Sequence, residues 1–512
     1  MNKLSYISLL VAGMMAVSSC SDILDTPPTT SPSESIFWQS KSDFDSALTG
    51  CYQGMQAKTL SYGMVVYDCL TDNGYGSSGS SYVYKTDLIQ ADNIDPSMTG
   101  FVPELYKEAY EAITRLNIFL YQLKNYQGGD MNTVRNQYEG EALFLRSYCY
   151  YLLYLCYGEV PYPTEPLDLT TQNMPKESLE TVYNNLITDL QTAIDKMDDK
   201  TFKGAGGHAT KGAAQGLKAR LLMFHAFGED GKVANRNEVQ EAYNLLNEIK
   251  GYSLAGRYAD NFTYDTQETS PEIVFSIKFL APNNYNNFDH IYGNYSGVRP
   301  VANLTNEYEE GDNRLGQIVA FDDKYQWPGG EVVSLNRSDL KKAMVKWLTP
   351  LMKDGDMWQA STRSEQDWVF LRWGELLLLK AEAANELGIS GAADMVNQVR
   401  QRAQDSANGM VNYSDPDLKP VMEVALYEDG NNCTWNQDFA RYALRWERRL
   451  EFAMENMRFF DLVRWGICSE TMNKYFQSEK ARRSYLKEAV FTKNKNEYVP
   501  IPQQQIGYSK DL

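Results

Sequence analysis

Histidine is the scarcest chemistry-bearing residue of this chain: three occur in 512 residues, His208, His225 and His290. No HExxH brings two of them onto one helix face, and no GxSxG is present. Zinc-hydrolase and Ser-His-Asp chemistry therefore have no motif to stand on. A GxxxxGK run followed by Ser or Thr, the usual phosphate loop, is also missing. The seven cysteines contain no CxxC, which excludes a zinc knuckle or a redox pair of ordinary spacing. Positive charge nowhere clusters, and 49 Lys and Arg stand against 67 Asp and Glu, a net charge of −18. Such a chain cannot neutralise a phosphate backbone, so nucleic acid is not an expected partner. Beyond the first twenty residues no apolar run approaches the ~20 residues that a spanning helix needs.

What the chain has in excess is tyrosine, 35 residues against 20 Phe and 9 Trp. A flat apolar ring with a hydroxyl suits half-wet recognition surfaces, though it also fills cores. Hydrophobic content of 43% with 23% charged residues excludes disorder over most of the length. The length suits a few domains or one architecture that grows by stacking units. At the N-terminus Lys3 precedes an apolar run from Ile7 to Val17, then Ser18, Ser19 and Cys20. That order reads as a secretory signal over residues 1–19 with Cys20 as the lipidated first residue of the mature protein, in the manner of a bacterial lipoprotein. Residues 20–35, rich in Ser, Thr, Asp and Pro, read as a lipidated tether. The protein is thus expected to be anchored to a membrane and not embedded in it. Cys149 and Cys156, about 10 Å apart along one helical face, cannot bridge and are read as core residues.

Helical periodicity comes in pairs. Ala142, Leu145, Cys149, Leu152 and Cys156 form one stripe, stopped by Gly158 and kept from resuming by Pro161 and Pro163. Ala213, Leu217, Leu221 and Phe224 form another, whose partner carries Val239, Ala242, Leu246 and Ile249 before Gly251. Leu376, Leu379, Ala383 and Leu387, then Gly388, then Ala392, Val396, Val399 and Ala403 repeat the plan within about 34 residues, the tetratricopeptide (TPR) period. Phe439, Ala443, Trp446, Leu450, Ala453 and Met457 predict one further long helix. Residues 61–103, 252–365 and 474–512 show no helical pattern and are expected to carry short strands and ordered loops, of a length usually kept for function. The fold class expected is mainly α: a TPR-like helical-pair scaffold with long loops and short β elements.

Some constellations are better read as structural. Gly74 to Gly79 fits GxGxxG, but Ser80, Ser81, Tyr82, Val83 and Tyr84 follow where a helix must begin, so it reads as a loop. Asp322 with Asp323, or Asp354 with Asp356, read as solvated loop acids and not as a glycosidase pair. The alternating charges from Arg445 to Arg464 read as surface or inter-helix contacts, such as Arg448 with Glu451 and Asp461 with Arg464. His225 reads as packed.

The motifs taken in order resemble one family. Leu24 to Pro28 with Phe37 and Trp38, Glu141 to Arg146 running to Tyr157, Gly158, Val160, Pro161 and Tyr162, and Ala209 to Arg220 are similar to its N-terminal half. Leu371, Arg372 and Glu375 to Ala384, Val396 to Ala403, the run Glu447, Arg448, Glu451, Phe452, Glu455, Arg458 to Leu462, Arg464, Trp465, Gly466, and the closing Tyr498, Pro500, Ile501, Pro502 are similar to the rest. The chain resembles the SusD/RagB family of outer-membrane nutrient-binding lipoproteins. The resemblance implies one SusD-like domain over residues 36–512 with four TPR-like pairs and no enzymatic activity, and no cofactor-binding or metal-binding residue is assigned. It implies a location at the cell outer membrane, lipid-anchored through Cys20 and surface-exposed, beside a SusC-like TonB-dependent transporter to which oligosaccharide is delivered. It places a shallow glycan site on two segments. The first holds Asp72, Asn73, Tyr75, Tyr82 and Tyr84; the second holds Tyr285, Asn286, Tyr292, Tyr295 and Arg299. The residue types suit the task, because a sugar offers an apolar C–H face to an aromatic platform and hydroxyls to Asn, Asp or Arg. Binding of one short sugar is expected near millimolar, about −4 kcal/mol. A peptide-binding member of the same family, a lipoprotein glycoside hydrolase and a purely structural scaffold are the competing readings.

Overall fold

The computed structural model describes residues 37–76, 101–168, 173–280, 284–286, 298–309, 312, 314–321, 342–344, 346–347, 364–409 and 425–502. Eleven helices of seven residues or more run through them in chain order: α1 Lys41–Met55, α2 Phe101–Asn125, α3 Arg135–Tyr157, α4 Leu179–Lys196, α5 Lys211–His225, α6 Arg236–Glu248, α7 Trp373–Leu387, α8 Ala392–Gly409, α9 Gln437–Glu451, α10 Arg458–Arg464 and α11 Cys468–Glu479. Their starts follow from side-chain oxygens that take orphan backbone N–H groups. Ser178 accepts from Thr181, Thr210 from Ala213, and Asn436 from Asp438 and Phe439. The expected stops hold as well. Gly158 (φ 74°) ends α3 and Gly388 (φ 72°) ends α7 in the left-handed region that favours glycine.

Successive helices from α1 to α8 pack side by side. Three of them form an inner row, since every residue from Gly140 to Tyr157 of α3 and from Gly212 to Met223 of α5 is buried, as is most of α7. A helix buried all round is central to a stack. The close approach of α5 to α7 depends on small residues: a Cβ on Gly216 would sit 3.1 Å from a Leu376 methyl. Helices α4 and α6 are amphipathic and cover the row from outside. The helical-pair reading of residues 139–157, 210–251 and 371–404 is therefore realised in space.

Six short strands pair as three antiparallel ribbons: β1 Gly74–Gly76 with β3 Val298–Pro300, β2 Ile273–Ile277 with β6 Trp368–Arg372, and β4 Val319–Phe321 with β5 Lys342–Met344. Two sequence expectations need correction. The stripe from Phe439 to Met457 is not one helix: it breaks after Glu451, with Met454 and Asn456 at φ 62° and 69°, and resumes as α10. Outside side chains take the carbonyls that a continuous helix would use. Tyr308 donates to Leu450 O (2.9 Å), Tyr258 to Glu451 O (2.9 Å), Lys346 to Ala453 O (3.0 Å) and Trp347 to Met454 O (2.9 Å). The patternless stretch from residue 474 contains the second half of α11, whose Cys468, Met472, Tyr475 and Phe476 form a buried sulfur-and-aromatic stripe.

Of the alternating charges, the expected pair Asp461 with Arg464 forms and the contacts run between helices, but they lie inside and not at the surface. Glu447 and Glu451 are fully buried among Arg314, Arg372, Arg400 and Arg402, and Arg448 reaches Asp461 (2.9 Å) rather than Glu451. Arg464 joins Asp461 (2.8 Å) to Glu382 (2.7 Å). Three arginines around Glu451 hold its carboxyl well below the usual range although burial acts the other way. Among the described residues no disulfide joins Cys51, Cys69, Cys149, Cys156, Cys433 or Cys468, and all but Cys433 are buried. His225 stacks on Tyr183 (3.7 Å between centroids) and bonds Glu238, a packed residue as expected.

Candidate functional site

Both tyrosine-bearing segments meet at the β1–β3 ribbon. The approach begins at the 3-10 turn Tyr62–Leu70, which is wholly buried. Its exit is fixed by local hydrogen bonds: Thr71 donates to Asp68 O (2.8 Å) and Asn73 N–H to Thr71 Oγ1 (3.1 Å). Such side-chain bonds to nearby backbone turn the chain. Gly74 then enters β1 where a Cβ would lie 3.2 Å from Arg299 O and 3.3 Å from Met454 Cε, so a side chain has no room. The register pairs Gly74 with Pro300, Tyr75 with Arg299 and Gly76 with Val298. Because the strands are antiparallel, the chain leaving β1 at Gly76 and the chain entering β3 at Val298 share one end of the ribbon.

Charge braces the ribbon from below. Asp72 receives Arg458 (2.9 Å) and Arg449 (2.9 Å), and Arg449 also donates to Asn73 Oδ1 (3.1 Å). Burial would raise the Asp72 carboxyl, but the two guanidinium groups outweigh it and hold it down to about 2. Asn303 adds a bond to Asp72 (3.1 Å). Among the described residues Asp68 has no such cation in contact: it accepts from Asn456 N–H (2.7 Å), and burial pushes its carboxyl up to about 7. The Tyr75 ring is 2% exposed with the Arg483 guanidinium 4.4 Å from its centroid.

Of the ten expected ligand residues, Asp72, Asn73, Tyr75 and Arg299 are therefore brought together, buried, as the floor of this ribbon. Asn286 is buried elsewhere, exchanging two 2.9 Å backbone bonds with Ser364 and donating to Gln366 O (2.7 Å). Its neighbour Tyr285 faces solvent, 43% exposed, which follows from the alternation of side chains along an extended chain. Tyr82, Tyr84, Tyr292 and Tyr295, and the lipidation residue Cys20, lie outside the described residues. The braces Arg449, Arg458 and Arg483 were not expected. Arg449 and Arg458 belong to the alternating-charge run, but a partner almost four hundred positions away leaves no local trace. Among the described residues no three His, Cys, Asp or Glu converge as a metal site. No helix among them is long and apolar enough to cross a membrane.

Two family models match the chain: one described as SusD family over residues 303–512, and one described as starch-binding, associating with the outer membrane, over residues 22–223. A SusD-like protein of Formosa agariphila is 25% identical over 92% of this chain and 91% of its own length. Among solved structures, surface glycan-binding protein A of Bacteroides fluxus superposes with a TM-score of 0.71 at 19% identity, covering 92% of this chain and 97% of that one. A SusD homolog of Bacteroides thetaiotaomicron gives 0.72 at 18% identity, covering 94% and 98%. A laminarin-binding SusD-like protein gives 0.69 at 19% identity, covering 92% and 98%.

Proposed function

The chain belongs to the SusD/RagB family, and from that premise we propose that it is a surface glycan-binding lipoprotein of the outer membrane, captures oligosaccharide and hands it to a partner TonB-dependent transporter. The observation that carries this reading is the ribbon. One end of the ribbon is where residues 77–84 leave Gly76 and residues 287–297 reach Val298, two stretches rich in tyrosine. Of the residues named earlier as ligands, the buried Asp72, Asn73, Tyr75 and Arg299 position the platform, the buried Asn286 holds the chain beside the exposed Tyr285, and ring contact with the sugar falls to Tyr285 and to Tyr82, Tyr84, Tyr292 and Tyr295. Carbohydrate is favoured over peptide by the descriptions of the relatives, which name starch, glycan and laminarin. A binding role is favoured over hydrolysis because, among the described residues, the carboxylates nearest the ribbon are buried and engaged, Asp72 by two arginines and Asp68 by the Asn456 N–H, whereas a glycosidase needs an accessible opposed pair.

The test is retention of the purified protein on a panel of immobilised polysaccharides and peptides. A specific glycan should retain it, and Tyr285→Ala and Tyr292→Ala should each weaken retention about tenfold, the loss of one aromatic platform. Retention by peptides alone would transfer the reading to the peptide-binding branch. Unchanged glycan retention in both variants would remove these loops from the site.

A further inference from the structure

A cleft of about 200 Å³ opens between α1 and the end of β2, bordered by Gln53, Gln56, His208 and Asn284 over a floor that includes Met55 and Ile277. It shares no lining residue with the β1–β3 ribbon. The two basic side chains on its border are both paired. His208 Nδ1 lies 2.8 Å from the buried Glu141, and Lys278 lies 3.3 Å from the buried Asp367 and also pairs with Glu268. The uncharged groups, by contrast, have capacity left. The carboxamides of Gln53 and Asn284 have no protein partner among the described residues, and Gln56 commits only its N–H, to Lys278 O at 2.7 Å.

That chemistry selects a ligand class. A free amino acid or a uronate would bring charge with no unbalanced countercharge to meet it. A purely apolar ligand would cover the amides and leave their hydrogen bonds unmade. A neutral pyranose offers hydroxyls to the amides and a C–H face to the half-exposed His208 ring, above the buried Met55 and Ile277. The volume, below the ~300–1,000 Å³ of drug-sized pockets, limits it to about one ring. We propose that this cleft binds a single neutral pyranose unit, a chain end or a side branch of the captured glycan, apart from the ribbon loops. The proposal rests on the glycan-binding reading above for its choice of cargo.

Saturation-transfer NMR on the full-length protein in detergent tests it, with methyl β-D-glucopyranoside, methyl β-D-galactopyranoside and methyl α-D-mannopyranoside as probes and glucuronate as the charged control. At least one neutral glycoside should show transfer and glucuronate none. Gln53 is exposed on α1, so Gln53→Phe fills the cleft without disturbing the core, and Asn284→Ala removes one amide. Each should cut the signal at least about fivefold, whereas Tyr442→Ala, at an exposed ring on α9 outside the cleft, should leave it in place. Absence of transfer from all three glycosides, transfer that survives both cleft variants, or transfer lost equally in Tyr442→Ala would overturn the proposal. Polysaccharide retention is measured in parallel. Monosaccharide binding without retention would remove the loop reading and keep the cleft, and retention without monosaccharide binding would do the reverse.

Discussion

Two aspartates four positions apart show how burial and partners decide what one residue type does. Asp72 is held below its ordinary value, so its stabilisation is present above about pH 4 and is lost as pH falls through about 2. The drop from 3.8 to about 2 corresponds to about 2 kcal/mol. Asp72→Ala would leave Arg449 and Arg458 buried without their carboxylate and should cost about 3–5 kcal/mol in urea unfolding at pH 7. A loss below about 1 kcal/mol would mean that the arginines find other partners. Asp68 has the opposite sign. Its folded carboxyl is raised to about 7, so the folded state holds a proton that the unfolded state has released. Stability from this residue therefore falls as pH rises from about 4 to about 7 and is flat above. Asp68→Asn keeps an acceptor for Asn456 N–H and should raise stability by about 1–3 kcal/mol at pH 8 while changing little at pH 4. Equal effects at both pH values would contradict the raised carboxyl.

At the scale of elements, the ribbon and the end of α9 are both made by distant partners. The two strands of the ribbon have three residues each, too few to be stable alone, and they persist because Arg449, Arg458 and Arg483 brace one side and Met454 packs against Gly74. Gly74→Val would push a branched side chain into Arg299 O and Met454. It should lower the melting temperature by several degrees and weaken polysaccharide retention about tenfold or more, by prising apart the common root of the two loops. Retention at the original level despite the lost stability would separate the ribbon from binding. Helix α9 ends where Tyr308 and Tyr258 capture its last two carbonyls, and Lys346 and Trp347 take those of Ala453 and Met454 just beyond it. Its hydrophobic stripe continues past that end, which is why periodicity overran it.

For the molecule as a whole, the order of stacking and the anchor belong to different physics. If Cys20 carries the lipid, Cys20→Ala should move the protein from the membrane pellet to the soluble fraction, since no described helix can span a bilayer. Persistence in the pellet would require another attachment. Helix stripes, glycine stops and the order of motifs are local quantities, readable within a few turns. Residues 139–157, 210–251 and 371–404 therefore declared their helices, and the motif order declared the family, from sequence alone. Which tyrosines face water was not readable: Tyr75 and Tyr285 sit in similar polar surroundings along the chain, yet one lies under Arg483 and the other in solvent. Nor could the charges from Arg445 to Arg464 be told from a solvated face, because their partners come from Asp72, Arg314, Arg372 and Glu382. Local pattern sets what a segment can become. Burial and pairing depend on residues hundreds of positions away, and only the folded chain decides them.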